Sequence, residues 1–202
     1  MGGMAGEALV KAMVSLAAQD EDAAREVIHN DGEVNKKRFQ IEEAALNLLA
    51  LQAPMASDLR TIAAVLQVIS DLERIGDHAV GIAKIVLMHG GQPRLDGIDD
   101  LERMADRAGA MLERALHSFS DKDADTARVV CDQDDEVDAL YDRFYHEMLR
   151  RMIEDRSLIE RATYLIWASH NIERIADRAT NVAERVIFLV TGRMQELNVS
   201  SY

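Results

Sequence analysis

Asp71-Leu72-Glu73-Arg74-Ile75-Gly76-Asp77-His78-Ala79-Val80-Gly81-Ile82-Ala83 returns, one hundred residues later, as Asn171-Ile172-Glu173-Arg174-Ile175-Ala176-Asp177-Arg178-Ala179-Thr180-Asn181-Val182-Ala183. Glu, Arg, Ile, Asp and two Ala coincide, and Leu/Ile and Ile/Val pairs keep their character. Upstream, Arg25, Asp31, Glu33, Val34 and Asn35 correspond to Arg128, Asp134, Glu136, Val137 and Asp138 at an offset of 103. Matching blocks in matching order mark a duplicated chain. Between the copies, Gly90-Gly91-Gln92-Pro93 joins conformationally permissive residues to a proline and is expected to be the linker. The expected units are therefore residues 1–91 and 92–202.

Both copies read as helix. Apolar residues recur at helical spacing, and Ala, Leu, Met, Glu and Arg dominate a chain with 4% aromatic residues and two prolines. Six helices are expected, from about residues 4 to 18, 22 to 51, 55 to 88, 96 to 119, 121 to 153 and 157 to 191. Pro54 should stop the second. Asp96 and Asp121 are expected to cap the fourth and fifth, and Ser157 with Glu160 forms a capping-box pattern for the sixth. Gly192 is expected to close the sixth, and the last ten residues have no pattern. The fold class is all-α, as two pseudo-symmetric three-helix bundles whose short connections favour antiparallel neighbours.

Composition narrows the function. The formal net charge is −13 with no run of Lys or Arg, which disfavours nucleic acid and suits cations or a basic partner surface. Cys131 is the only cysteine, so no disulfide can form within the chain, and a reducing, cytoplasmic compartment is expected. No signal-peptide layout or stretch of about 18 apolar residues occurs, so direct membrane insertion is not expected.

Candidate chemistry lies in acidic pairs one helical turn apart. Glu73 and Asp77 edge the apolar stripe Leu59, Ile62, Leu66, Ile69, Gly76, Val80, Ala83 and Leu87, and Glu173 and Asp177 repeat them. Asp31 with Asn35, and Asp134 with Asp138, hold equivalent places on the second and fifth helices. Like charges at this spacing lie about 6 Å apart at Cβ and cost a few tenths of a kcal/mol. Bringing two pairs together adds repulsion and desolvation, which protons or cations must offset. Carboxylate oxygens suit Mg, Mn, Fe or Zn, and one carboxylate can bridge two ions. Asn35 and Gly81 make the first set poorer in donors than the second, which has Asp138 and Asn181. A competing account has Arg74 and Arg174 bridging carboxylates on an adjacent helix in a wholly structural network.

Other residues do not assemble a catalytic set. His78 becomes Arg178 in the second copy, and His29, His89, His117, His146 and His170 are scattered. Cys131 has no histidine within a turn on its helical face, and Met104, Met111, Met148 and Met152 read as core filler. A carboxylate-bridged di-iron oxidase or ferritin needs two Glu-x-x-His pairs, and only Glu26 to His29 supplies one. A metal-free helical adaptor is the third alternative.

The strings Pro54-Met55-Ala56-Ser57-Asp58-Leu59-Arg60, Leu72 to Ala79, Asn171 to Asp177 and Asn181 to Gly192 resemble the PhoU family of phosphate-system regulators, over about residues 4–192. The resemblance implies two three-helix bundles and no enzymatic activity. It implies metal ions, iron, zinc or similar and multinuclear in some members, at Glu73, Asp77, Asp31, Asn35, Glu173, Asp177, Asp134 and Asp138. It further implies restraint of the phosphate ABC transporter through its ATPase subunit, and of the phosphate-sensing histidine kinase. A homodimer and a place beside the inner membrane through the transporter complex are expected. Gly81, Ala176 and Arg178 stand where the resemblance implies Asn, Gly and His. The first helix is shorter than the resemblance implies, so an N-terminal portion is expected to have been lost.

Overall fold

A computed structural model describes residues 1–89 and 96–194. Among them are six α-helices: α1 (Gly2–Ala18), α2 (Glu21–Gln52), α3 (Ser57–His89), α4 (Ile98–Asp121), α5 (Ala124–Glu154) and α6 (Ile159–Thr191). The expected linker at Gly90 to Pro93 and the tail beyond Met194 lie outside the described residues.

Helices α3 and α6 form the spine. Ile75, Ala79, Ile82 and Val86 are fully buried, and so are Ile175, Ala179, Val182 and Val186 one repeat later. Polar contacts flank this stripe and fix its register. Asn181 donates an amide N–H to Asp71 at 3.3 Å, and Arg178 approaches the same carboxylate at 3.5 Å. At the opposite end, His78 Nδ1 lies 3.1 Å from Asn171 Oδ1. Residue 71 meets 178 and 181 while 171 meets 78, so the two helices run antiparallel and an internal pseudo-twofold exchanges them. Gly81 sits on this seam, where an added Cβ would come within 2.5 Å of Asn171 Oδ1. The first bundle packs α1 and α2 on α3, the second packs α4 and α5 on α6, and α1 also meets α4.

The apolar stripe expected on α3 is buried only in part, with Ile69, Gly76 and Ala83 in the core. Leu59 is 47% exposed and Leu66, Val80 and Leu87 are only half-buried, whereas Ala64, Val68, Leu72, Ile75, Ala79 and Ile82 form the core face. The cause is that α3 packs on α1 and α2 on one side and on α6 on the other. Its buried surface is therefore wider than one amphipathic stripe.

Three expected caps fall elsewhere. Lys122 takes a left-handed conformation that ends α4 at Asp121, so the cap of α5 is Asp123, which accepts N–H groups from Asp125 and Thr126 at 3.0 and 3.1 Å. Gly97, not Asp96, precedes α4, at φ 112° and with Phe144, Met148 and Leu165 around the place a Cβ would take. The Ser157–Glu160 box does not form. Asp155 accepts from the Ser157 N–H at 2.9 Å to start a 3₁₀ turn, and Glu160 instead accepts from the Tyr164 hydroxyl. Asp20 caps α2, which stops at Gln52 with Ala53 left-handed immediately before Pro54. Gly192 closes α6 as expected, its N–H bonding Phe188 O at 2.8 Å.

The cap assignment has a direct check. Asp123→Ala should shift the urea unfolding midpoint to lower concentration, while Asp121→Ala should leave it nearly unchanged.

Candidate metal centres

Outside the spine, α2 packs on α3 and α5 on α6, so each acidic pair of the central helices faces a pair on its outer neighbour. In the second bundle, Asp134, Asp138 and Asp177 each bring one carboxylate oxygen within 4.8 Å of the other two. Asp134 is 1% exposed. Burial, then the charges of Asp138 and Asp177, push its carboxyl up to about 7. Burial, then Asp177, also raises Asp138. Glu173 precedes Asp177 by one turn and is likewise pushed up to about 7, first by burial and next by Asp177. It stands outside the three-oxygen group, and its buried Oε2 lies 3.4 Å from Arg174 Nε and 3.7 Å from His170 Nδ1.

The first bundle gathers less charge. Asp31 Oδ2 accepts from Asn35 Nδ2 at 2.9 Å, so the amide that replaces a carboxylate also occupies an oxygen of its neighbour. Asp31 Oδ1 is buried with no hydrogen-bond partner. Its room comes from Gly76, where a Cβ would lie 3.0 Å from that oxygen. Burial, then the charge of Asp77, raises the Asp31 carboxyl. Asp77 is felt by Asp31 across the α2–α3 seam, and Glu73 and Asp77 lie 3.8 and 3.4 Å from Arg74, but among the described residues no three carboxylates of this bundle converge as those of the second do.

The arginines of the competing structural account pair with carboxylates of their own helices. Arg74 bridges Glu73 and Asp77 of its own helix, and Arg174 makes the same contacts with Glu173 and Asp177 at 3.4 and 2.9 Å. The charge of Arg174 also reaches Asp138 and Tyr141 on α5 across the seam.

Three neighbours of the second centre escaped the sequence reading. His170 lies one turn before Glu173, and burial, then Arg174, lowers its pKa, leaving the imidazole neutral. Tyr141, one turn after Asp138, has its hydroxyl pushed up by burial and then by Glu173, and its ring is 6.1 Å from that of His170. Thr180, 3% exposed, partly offsets the rise at Asp134 through its hydroxyl. All three stand three or four residues from a candidate ligand, which was the available signal. Cys131 is inert: burial, then nearby carboxylates led by Glu184, push its thiol up to about 12. Glu26 and His29 are both exposed, and Glu26 pairs with Lys11 at 3.7 Å, away from either acidic set.

The donor set of the second bundle fits a hard or borderline cation, with three carboxylates converging and a neutral imidazole nearby. The first offers fewer oxygens, but the unpartnered Asp31 Oδ1 is available to a cation. Together, fold and site define a duplicated helical scaffold with a converged acidic centre in the second repeat and a looser acidic seam in the first.

Comparison with known proteins agrees on the duplicated helical fold. The PhoU domain profile matches residues 1–86 and again 101–186. The phosphate-specific transport system accessory protein PhoU homolog of Clostridium acetobutylicum is 37% identical over 199 residues, covering 98% of this chain and 91% of the relative. The Pseudomonas aeruginosa homolog of the same name is 35% identical, covering 95% and 80%. The crystal structure of PhoU from P. aeruginosa superposes with a TM-score of 0.90, over 96% of this chain and 93% of that one. The phosphate transport system regulatory protein PhoU from Streptococcus pneumoniae also superposes with a TM-score of 0.90, at 31% identity over 96% and 92%. The chain belongs to the PhoU family, one of accessory regulators and not of enzymes.

The raised carboxyls have a pH consequence. Between the ordinary carboxyl range and about 7, folded Asp134 and Glu173 hold protons that the unfolded chain has released. Stability of the metal-free chain should therefore fall as pH rises through that window. Thermal unfolding in chelator should show a higher Tm near pH 5.5 than near 7.5, and Asp134→Asn with Glu173→Gln should flatten the difference.

Proposed function

We propose that the chain is a metal-binding negative regulator of phosphate uptake and phosphate-starvation signalling. It acts by contact with the ATPase subunit of a phosphate ABC transporter and with a phosphate-sensing histidine kinase. The observation that carries the metal part is the convergence of Asp134, Asp138 and Asp177 within 4.8 Å across the α5–α6 seam. Three anionic oxygens in a partly desolvated place need neutralisation, and a divalent or trivalent ion such as iron or zinc would supply it. Support for the phosphate role comes from the relatives, whose names describe accessory proteins of phosphate transport.

In this mechanism, Asp134 and Asp138 hold the α5 side of the centre and Asp177 the α6 side. Glu173 would extend the donor set, with His170 beside it. Asp31, Glu73 and Asp77, with the carbonyl oxygen of Asn35, would serve the first bundle. With its charge neutralised, each seam holds its outer helix at a fixed angle to the spine and so shapes the surface offered to partners. Loss of that neutralisation would leave repelling carboxylates and loosen α2 from α3 and α5 from α6.

The place of action is proposed to be cytoplasmic, peripheral to the inner membrane through the transporter. Among the described residues, no helix is long and apolar enough to cross a membrane. A homodimer is proposed through the tip of the α2–α3 hairpin. Residues 44–57 carry no charge, and Leu46, Leu48, Leu51 and Met55 there are half or more exposed.

Elemental analysis of protein purified without chelator tests the metal assignment. Glu173→Ala with Asp177→Ala should lower bound metal by roughly half with helicity unchanged, since one of two repeated centres is lost. Unchanged metal content would contradict the assignment. Capture of the transporter ATPase or the kinase should weaken when metal is stripped, and indifference to chelation would remove metal from the regulatory step.

A further inference from the structure

Helices α1 and α4 form a second surface that shares no residue with the acidic centres. They run antiparallel: Leu116 lies against Gly2, and Leu9 against Gly109. Between them opens a groove of about 990 Å³ with Leu9, Met13, Ala105 and Leu112 as its buried floor. Val10 and Val14 line it at 62% and 60% exposure. Added side-chain atoms at Gly3 or Gly6 would meet nothing within 4 Å, so another helix can approach the backbone closely there.

The charge along this groove has one sign. Among the described lining residues, those that ionise are Glu7, Glu102, Asp106 and Glu113. The basic side chains of the same two helices are engaged elsewhere. Lys11 reaches Glu26 on α2 at 3.7 Å, Arg107 reaches Glu136 on α5 at 2.9 Å, and Arg114 bonds Gln133 on α5. Arg103 is held by Asp100 of its own helix. Intramolecular pairing thus draws positive charge to the flanks and leaves Glu7, Asp106 and Glu113 beside an apolar trough.

We infer that the α1–α4 groove is a docking site for a cationic amphipathic helix of a partner protein. Apolar residues of that helix at i, i+3, i+4 and i+7 would cover Val10, Val14 and the floor. Its Lys or Arg residues would meet Glu7, Asp106 and Glu113 on the rim. A second copy of the chain is a poor occupant, because it would bring another set of rim carboxylates against the first. The inference deepens the regulatory proposal by giving its partner a chemistry, and rests on that proposal only for the existence of a partner.

The test uses the full chain and a fluorescent 18-residue peptide with Leu and Lys in amphipathic helical pattern, read by fluorescence anisotropy. A counterpart with Glu in place of Lys is the control. The Leu/Lys peptide should bind, and the Leu/Glu peptide should not. Gly6→Trp, which fills the groove, should weaken binding roughly tenfold or more, as loss of a buried anchor contact does. The combined variant Glu7→Gln, Asp106→Asn, Glu113→Gln should do likewise and keeps the test open if Gly6→Trp fails to fold. Glu43→Lys on exposed α2 should have no effect. Binding insensitive to both groove variants, or equal binding of the two peptides, would overturn the inference. Self-association in sedimentation that Gly6→Trp abolishes would overturn it in favour of a second copy. Metal content is measured in parallel, so failure of the groove with metal retained refutes this inference and leaves the metal proposal standing.

Discussion

Everything in this molecule is arranged around the antiparallel contact of α3 with α6. Both helices spend small and β-branched residues, Ala79, Ile82, Ala179 and Val182 among them, on faces that see no water. That contact lets a duplicated chain close on itself, each copy supplying the cover the other lacks. The polar rungs that flank it are unequal: Asp71 meets Asn181 and Arg178, whereas Asn171 meets His78 beside the bare backbone of Gly81. The halves have thus diverged into complementary partners, and Gly81 is small because Asn171 occupies the space its side chain would need.

With the central helices committed to one another, α2 and α5 are left outside, and the acidic pairs fall on the seams that join them to the spine. Placement there is costly. Asp134 is almost inaccessible to water and faces two further carboxylates. Arg74 and Arg174 pair with carboxylates of their own helices and temper the charge there. A cation shared between α5 and α6 would neutralise the charge and join the helices at once, which makes metal occupancy a structural variable. The first seam, with Asn35 in place of a carboxylate and an unpartnered oxygen on Asp31, is the weaker of the two.

The duplication, the number of helices and the pairing of acidic residues were legible because each rests on periodicity and on the offset between repeats. Finer features were not. The cap of α5 was read at Asp121, and the left-handed turn at Lys122 moves it to Asp123. Only part of the buried face of α3 was found, at Ile69, Gly76 and Ala83, because a helix packed on two sides buries more than the single stripe that pattern analysis seeks. Sequence spacing likewise hid that Arg174 pairs with Glu173 and Asp177 of its own helix, and that His170, Tyr141 and Thr180 gather around the second centre. Those relations depend on how α5 and α6 rotate against each other, which no single-helix periodicity encodes.

The account turns on whether Asp134, Asp138 and Asp177 close on a cation. Anomalous X-ray scattering from crystals grown in manganese or iron reads this directly. The account predicts a peak between α5 and α6 with an oxygen from each of the three carboxylates at roughly 2.0–2.6 Å, the range for hard cations. A metal-soaked crystal with no such peak, and with the three side chains turned apart into solvent, would contradict it.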